Sequence, residues 1–438
     1  MKLKGVLVPH NKHTSGFVPK EMQNVKSVVL PVSMHIGAPA TPVVKKGDAV
    51  CVGTLVAKAE GYVSSPVYSS VSGTVSEVGE ILISDGKKTA AIKIESDGLN
   101  TLCEDITPPT VTNRETLIEA IQKSGIVGLG GAGFPTFVKL NVKEEQTVEE
   151  LIVNGAECEP YITSDSVTME NYSEDISFAI DTLVKYLGVK KVIIGIEKNK
   201  PAAISKMKEM AKQKENTEVK VLPSVYPQGG EKVLIYHTTG KVVKLGQLPI
   251  DVGCIVINST TLQQIGKYLK TGIPMTKKVV TVDGSAVKEP NNVIAPIGTP
   301  LKEVIDFCGG LKEDAQKVIL GGTMMGIAVR DLEQPITKTT NAVLVFGEKE
   351  KINKKLTACI NCGRCAGYCP FSIDPRKISK AVKNKKDIEI KECGADLCML
   401  CGCCSFVCPA RRPLVENNRI AKDMLVSIRE KEKNENGK

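Results

Sequence analysis

The chain is 438 residues long and 42% hydrophobic, with a formal net charge of +9, which is apolar material for about three separate domains. No run approaches the roughly 18 consecutive apolar residues of a membrane-spanning helix, and the opening MKLKGVLVPHNKHTSG has neither the apolar core nor the small-residue cleavage site of an export signal; a multidomain protein that neither spans a membrane nor is exported is expected. The excess charge is lysine in scattered positions or short runs such as Lys383, Lys385 and Lys386, Trp is absent and aromatics make up 4%, so the platforms for nucleic-acid binding are missing and attraction to acidic partners or anionic headgroups is what the charge leaves open.

Residues 1–27 read as a polar arm. From 28 to 106, short β-rich runs broken by Gly, Pro and Ser indicate a small all-β unit. Within it, PVVKKGDAVCVGTLVAK sets a KKGD turn between two alternating strands and SSPVYSSVSGTV follows; together they resemble the barrel-sandwich (lipoyl- and biotinyl-like) fold. Those families carry a modified lysine at an exposed hairpin tip. Here the tip reads Glu60-Gly61-Tyr62, so docking rather than a swinging arm is expected. His35 sits among turn residues and reads as structural.

The stretch TPPTVTN (107–113) opens an α/β region spanning 107–270. ETLIEAIQKSG has the spacing of an amphipathic helix, and LIVNGAE and KVIIGIE are buried-strand runs on either side of a long helix, DISFAIDTLVKYLG. Residues 271–348 contain KKVVTVDGSAVKEPNNVIAPIGTPLKEVIDFCG, a compact β-grasp-like plan that resembles the SLBB (soluble ligand-binding β-grasp) domain, completed by GGTMMGIAVRDLEQPITKTTNAVLVF. GEKEKINKK is a charged linker into a cysteine-rich module, 349–415. Residues 416–438 read as a charged helix and tail, and the final REKEKNENGK, almost free of apolar residues, is expected to be disordered.

Ten of the fifteen cysteines fall between Cys359 and Cys408, which in a long chain without an export signal points to metal ligation in a reducing compartment. Cys359-x2-Cys362-x2-Cys365-x3-Cys369-Pro370 is repeated 39 residues later as Cys398-x2-Cys401-x2-Cys404-x3-Cys408-Pro409. Runs of this form hold 4Fe-4S clusters, the fourth cysteine of each ligating the cluster of the other. One cluster is therefore assigned to Cys359, Cys362, Cys365 and Cys408, and a second to Cys398, Cys401, Cys404 and Cys369. Gly363 and Gly402 let backbone amides approach the sulfurs, and the prolines end the loops. Zinc would call for cysteine pairs rather than these runs. Cys393 and Cys403 are left over and read as adjacent thiols.

Gly128-Leu129-Gly130-Gly131-Ala132-Gly133-Phe134-Pro135-Thr136 matches G-x-G-x-x-G formally, but a dinucleotide fingerprint follows a strand and opens a helix, whereas a helix precedes this segment and Pro135 follows. Four glycines in six residues can still present N–H groups to a phosphate, with Lys139 just beyond. Asn154-Gly155-Ala156-Glu157-Cys158-Glu159-Pro160 and Tyr226-Pro227-Gln228-Gly229-Gly230-Glu231-Lys232 accompany it. The three segments resemble the flavin- and NADH-binding subunit of respiratory complex I. That resemblance implies noncovalent FMN, its phosphate held by the glycine loop and lysine, with Asn and acidic residues lining the isoalloxazine and nicotinamide sites and a later Asn-containing turn closing the pocket. Carried over by position are Gly128, Gly130, Gly131, Gly133, Lys139, Asn154, Glu157, Glu159, Tyr226, Gly229 and Glu231, with Asn258 and Thr260 for the closing turn. The chain departs from the complex I pattern at Leu129, Ala156 and Gly230.

The order of the parts, a multidomain α/β and α+β plan of barrel-sandwich unit, complex-I-like α/β flavin domain, SLBB β-grasp-like unit and two-cluster 4Fe-4S ferredoxin module, resembles the RnfC family of the Rnf complex over nearly the whole chain. The resemblance implies a peripheral subunit on the cytoplasmic side of the cell membrane, in a complex coupling electron transfer between NAD(H) and ferredoxin to Na+ or H+ translocation. Hydride exchange between NAD(H) and FMN, then single electrons through the two 4Fe-4S clusters, would connect to ferredoxin through partner subunits; no catalytic acid or nucleophile is required. A soluble relative feeding another reductase, or an assembly scaffold with a degenerate flavin site, are the other readings. Cys158, between two acids, reads as a buried neutral thiol, and Asp165 and Lys198 as solvated loop positions.

Overall fold

The computed structural model describes residues 4–83, 86–143, 145–350 and 355–436. The runs LIV, VIIGI and CIVI are buried along their length, as strands covered on both faces must be. They form Glu150–Gly155, Lys191–Glu197 and Cys254–Asn258, and with Thr217–Leu222 they make a parallel sheet in the order Thr217–Leu222, Lys191–Glu197, Glu150–Gly155, Cys254–Asn258. Helix Arg114–Lys123 lies where the amphipathic spacing puts it, capped by the Asn113 side chain accepting from the Thr116 N–H. The longer run becomes Ser173–Leu187, stopped by Gly188 in the left-handed region. From Glu150–Gly155 the chain steps outward twice, then returns to set Cys254–Asn258 on the opposite side. Asn154 and Asn258 are register partners at the carboxyl ends of these two strands, the crevice in which open parallel sheets receive ligands.

The barrel-sandwich unit pairs an antiparallel sheet (Ser27–Pro31, Lys88–Ser96, Gly73–Leu82, Ala49–Val50) with a smaller one (Thr41–Pro42, Leu55–Lys58, Val67–Tyr68), closed over Val28, Leu30, Val56, Ile92 and Ile94. Its tip is docked: the Tyr62 ring meets Phe137 edge-on at 5.8 Å and its hydroxyl accepts from Asn141 Nδ2 at 2.9 Å. His35 Nε2 is within hydrogen-bond distance of the Ala38 carbonyl (2.9 Å) and the Ser65 N–H (3.1 Å), which ties two turns of the unit together.

The β-grasp-like unit contains Lys277–Asp283, Asn291–Pro296, Ala315–Leu320, Ile327–Val329 and Ala342–Gly347 with helix Leu301–Phe307. A sixth strand of its sheet, Lys20–Glu21, comes from the N-terminal arm and pairs parallel to Asn291–Pro296. The arm is a strap. Lys4 Nζ donates to Ser372 Oγ in the cysteine module (2.9 Å), Val6 exchanges both backbone hydrogen bonds with Tyr226, the Tyr161 N–H donates to the His10 carbonyl (2.9 Å), and Thr14 meets Thr163 (2.6 Å).

The linker into the cysteine module contributes one turn, Glu348–Glu350, and its continuation at 351–354 lies outside the described residues. The charged end, expected to be disordered, instead continues helix Leu414–Asn436; residues 437–438 lie outside the described residues. Ala421, Leu425 and Ile428 recur at helical spacing and pack on Ile378, Ala381 and Ile390. The Glu and Lys residues beyond them are good helix formers that extend the anchored turns.

Helix Ser259–Thr271 carries the site residues Asn258 and Thr260 at its start and rests on helix Ser173–Leu187 through Gly266, where a Cβ would stand 1.9 Å from the Asp175 carbonyl oxygen. Gly266→Ala gains about 1 kcal/mol of helix propensity but forces two backbones apart, at about 1–3 kcal/mol or more. A lower midpoint of thermal unfolding, together with weaker retention of ligand, is the expected outcome; an unchanged or raised midpoint contradicts this packing.

Candidate functional site

A cavity of about 490 Å³ opens at the carboxyl ends of Glu150–Gly155 and Cys254–Asn258, within the size range of small-molecule sites. The glycine segment is a closed hairpin in which the Gly128 N–H donates to the Phe134 carbonyl (2.8 Å) and the Gly133 N–H to the Gly128 carbonyl (3.1 Å). Gly131 has φ +113° and a Cβ there would meet nothing within 4 Å, so bare backbone faces open space. Of the residues predicted from sequence, Gly130, Gly131, Asn154 and Glu157 line the cavity, and so do Glu159, Tyr226, Gly229 and Asn258. Asn154 Nδ2 donates to the Gly229 carbonyl (2.9 Å), joining two of the motifs.

The other predicted residues stand back from the cavity. Gly128 and Gly133 form the hairpin base. Lys139 donates to Glu231 (2.7 Å) and to the Val256 carbonyl (3.1 Å) and does not reach the cavity wall, and neither does Glu231. Thr260 is buried behind it and donates to Asp165 Oδ1 at 2.6 Å.

Asp165 corrects the sequence reading. It is buried on the cavity wall rather than solvated, and it accepts from Thr260 and, at 2.7 Å, from Asn258 Nδ2. Burial raises its carboxyl above the ordinary range, while those two donors pull it back. Lys198 is exposed, as expected. Two lysines escaped sequence reasoning. Lys12 Nζ donates to the carbonyls of Glu157 (3.0 Å), Glu159 (2.8 Å) and Ile162, and buried Lys200 to those of Ala156 (2.7 Å) and Glu157 (3.3 Å) and to Glu197 Oε2 (3.0 Å). The signal for Lys200 was its place just past a buried strand and before Pro201; nothing in the arm's composition marked Lys12. Cys158 is a thiol pushed up to about 12 by burial and so stays neutral.

The three departures from the complex I pattern each have a structural setting. Leu129 is fully buried, its N–H bonded to Thr261 Oγ1 (2.9 Å), and Ala156 is fully buried in the turn. At Gly230, a Cβ would stand 2.5 Å from Cε of Met399, which lies between Cys398 and Cys401 and itself lines the cavity. Glycine there makes room for the cysteine module. The Tyr226 O–H donates to the Cys401 carbonyl (2.8 Å), and the Met324 N–H, from the GGTMMG turn, to Glu159 Oε2 (3.0 Å).

The two cysteine runs repeat in backbone as well as in sequence: Asn361 and Leu400 (φ 55° and 58°), Gly363 and Gly402 (74° and 79°), and Ser372 and Arg411 (59° and 53°) are matched left-handed positions. Cys359, Cys362, Cys365 and Cys408 ring a cavity of about 480 Å³. Cys369 lies within electrostatic reach of Cys398 and Cys401, and Cys404 of all three. Among the described residues no group of His, Cys, Asp or Glu gathers on a point that one ion would fill; a cubane instead needs its thiolates spread around it. N–H donors are in place for thiolate sulfur: Leu400 N and Asn418 Nδ2 to Cys398 Sγ (3.4 and 3.3 Å) and Arg412 N to Cys408 Sγ (3.4 Å). Both donor set and space fit iron–sulfur clusters, and the glycine cradle fits a flavin nucleotide. Leftover Cys403 is buried and Cys393 partly so.

Comparison with known proteins matches residues 121–267 to the Nuo51 FMN-binding domain, 2–99 to the RnfC barrel sandwich hybrid domain and 279–328 to the SLBB domain. The chain is similar to the C subunit of the proton-translocating ferredoxin:NAD(+) oxidoreductase complex of Clostridium ljungdahlii, at 43% identity over 83% of this chain and 80% of that one. It is also similar to the C subunit of the Na(+)-translocating ferredoxin:NAD(+) oxidoreductase complex of Acetobacterium woodii, at 39% over 98% and 97%. The C subunit of the ion-translocating oxidoreductase complex of Rhodobacter capsulatus matches at 35% over 87% and 75%.

Burial pushes Glu157 up to about 7, from 4.5, against the pull of Lys12 and Lys200, and one of its oxygens is buried without a hydrogen-bond partner. The folded protein therefore keeps a proton that the unfolded chain releases, and the stability from the neutral carboxyl, full below about pH 4.5, is lost as pH rises through about 7. Relative to Glu157→Gln, the native protein is expected to lose on the order of 2 kcal/mol between pH 4.5 and 7.5, read by paired denaturation curves. A pH-independent difference contradicts it.

Proposed function

The chain belongs to the RnfC family of Rnf complex subunits, and from that premise we propose that it passes electrons between NAD(H), noncovalent FMN and two 4Fe-4S clusters. It does so as a peripheral member of a membrane-bound complex coupling electron transfer between NAD(H) and ferredoxin to ion translocation. A bound flavin supplies the conversion between hydride, carrying two electrons, and a cluster, which takes one. The chain's own residues hold and align. The glycine hairpin receives the nucleotide with backbone N–H groups, Asn154 and Asn258 form the floor, and Glu157 and Glu159 border the space for the nicotinamide. Cys359, Cys362, Cys365 and Cys408 hold one cluster; Cys369, Cys398, Cys401 and Cys404 hold the other.

Contiguity carries this reading. The cavity and the Cys398–Cys401 loop share a wall, in which Met399 sits against Gly230 and Tyr226 bonds to the Cys401 carbonyl. The opposite set turns outward, with Cys359 and Cys362 exposed and Arg364, Lys377, Lys380 and Lys383 around the opening, a surface suited to an acidic face of a partner protein. Among the described residues no helix is long and apolar enough to cross a membrane. The ion path is assigned to other subunits, and this one to the cytoplasmic side.

Anaerobic titration with NADH tests the reading. Flavin absorbance is expected to bleach first, followed by the EPR signals of reduced clusters. Clusters present with no flavin bound and no response to NADH would make the chain a wire or scaffold. Gly230→Leu, which drives Met399 off the shared wall, is expected to leave flavin bleaching by NADH intact in stopped flow and to slow cluster reduction; equal slowing of both contradicts the shared wall.

A further inference from the structure

The cysteines outside the cluster module fall into two kinds. Cys158, Cys254 and Cys308 stand apart from one another, and burial pushes each thiol up to about 12, which leaves them unreactive. Cys51 and Cys103, both in the barrel-sandwich unit, are partly exposed and meet each other.

A backbone bridge brings them together. Val52 and Leu102 pair in parallel, the Val52 N–H donating to the Thr101 carbonyl (2.8 Å) and the Cys103 N–H to the Val52 carbonyl (3.1 Å). Side chains alternate along extended chain, so Cys51 and Cys103, each one step from a bridge residue, lie on the same face of the pair. The Thr54 hydroxyl sits between them: its Oγ1 accepts from the Cys51 N–H at 2.9 Å and lies 3.3 Å from Cys103 Sγ. Burial raises the Cys103 thiol, Thr54 pulls it back, and Cys51 acts on it as a direct hydrogen-bond partner.

Both segments are held in place by their surroundings. The Gly53 N–H donates to the Ser69 carbonyl (2.9 Å), and the Ser69 N–H to the Thr54 carbonyl (2.8 Å). Gly53 has φ +98°, and a Cβ there would stand 2.5 Å from Ile106 Cδ1, so the turn that follows Cys51 rests on the chain just past Cys103. That chain is the exit from the barrel-sandwich unit. Its next residue, Thr107, abuts the parallel-sheet domain at Gly272, where a Cβ would stand 2.1 Å from the Thr107 carbonyl oxygen. A bond between the two sulfurs would join the turn at 51–54 to the root of the connection between the two units.

We propose that Cys51 and Cys103 form a redox-active dithiol that low-molecular-weight disulfides oxidise to an intramolecular disulfide, stapling the root of the connection to the barrel-sandwich unit. One thiol, as thiolate, attacks the oxidant R–S–S–R; a mixed disulfide forms, and the released RS⁻ takes up a proton. The second, as thiolate, attacks the mixed disulfide, closes the Cys51–Cys103 bond and releases the other RS⁻, which is protonated in turn. The two cysteines lose two electrons and two protons, and the oxidant becomes two R–SH. A partly exposed disulfide is the labile kind, so thiol reductants reverse the step. The staple concerns how the barrel-sandwich unit is attached and does not rest on the flavin reading.

The test uses the full chain with its clusters retained, incubated anaerobically with excess oxidised glutathione, capped with iodoacetamide and digested without reduction for mass spectrometry. The expected product is a peptide pair joined through Cys51 and Cys103, free of glutathione and lost again after dithiothreitol. Both cysteines capped by iodoacetamide, or each carrying its own stable glutathione, overturns the dithiol. Hydrogen exchange then reads the staple: oxidation is expected to slow the amides of Val52 and Cys103 roughly tenfold or more, as a cross-link that suppresses local opening should. The same treatment of Cys103→Ser is expected to leave the Val52 amide unchanged. Equal exchange in the reduced and oxidised native protein, or equal slowing in Cys103→Ser, overturns the staple.

Discussion

The turn from Ala156 to Ile162 points carbonyl oxygens inward, and the ammonium groups of partly buried Lys12 and buried Lys200 satisfy them. Without these donors the turn would not persist: Glu157 and Tyr161 sit at φ 47° and 68°, a conformation that costs of order 1–3 kcal/mol for residues with a side chain. Hydrogen bonds from a charged donor contribute about 1.5–3 kcal/mol each, so the lysines outweigh the strain. Burial lowers Lys12 to about 8, so it stays charged near neutrality. The turn carries Glu157, Cys158 and Glu159, and Lys12 arrives on the arm that also touches the cysteine module and joins the SLBB sheet. One set of contacts thus shapes the pocket floor and fixes the units that close over it.

That closure gives the separate units a joint function. The parallel sheet provides a crevice at its switch point, open on one side; the SLBB turns and the Met399 loop supply the missing walls. Small residues decide how closely these pieces meet. Gly322 lies so near Glu159 that a Cβ would stand 2.2 Å from its carboxylate oxygen, and Gly402 so near Met324 that a Cβ would stand 2.7 Å from its carbonyl. The GGTMMG turn therefore wedges between the acidic floor and the cysteine module, where Met324 and Met399 join Tyr226, Val6 and Val8 in an apolar seam. The seam packs the pocket wall directly against the Cys398–Cys401 loop.

Much of the plan was legible in the sequence because it rests on local chemistry. The buried strand runs and the β-rich unit are written in contiguous residues, and the structure realises each with the expected elements; the cysteine runs and the glycine segment are local patterns of the same kind. What was illegible depends on distant residues meeting. Lys12 carries no mark of its destination 145 residues away at Glu157, and Asp165 looked like a loop residue because its partners Asn258 and Thr260 lie on another strand and helix. The charged C-terminus has the composition of a disordered tail, yet its helix is anchored upstream by Ala421, Leu425 and Ile428. Lys139 shows the converse: local pattern placed it on a phosphate, and a long-range pairing with Glu231 placed it elsewhere.

The proposed electron path has one order: pocket, then the Cys398 set, then the Cys359 set and the outer surface. The most direct measurement is rapid-freeze EPR after anaerobic mixing with NADH, on protein carrying Cys401→Ser and, separately, Cys362→Ser. On this account, loss of the inner cluster leaves flavin bleaching intact and the remaining cluster oxidised, whereas loss of the outer one leaves both flavin bleaching and reduction of the remaining cluster intact. The reverse pattern, with the outer cluster reduced normally in the Cys401→Ser protein, would contradict the order.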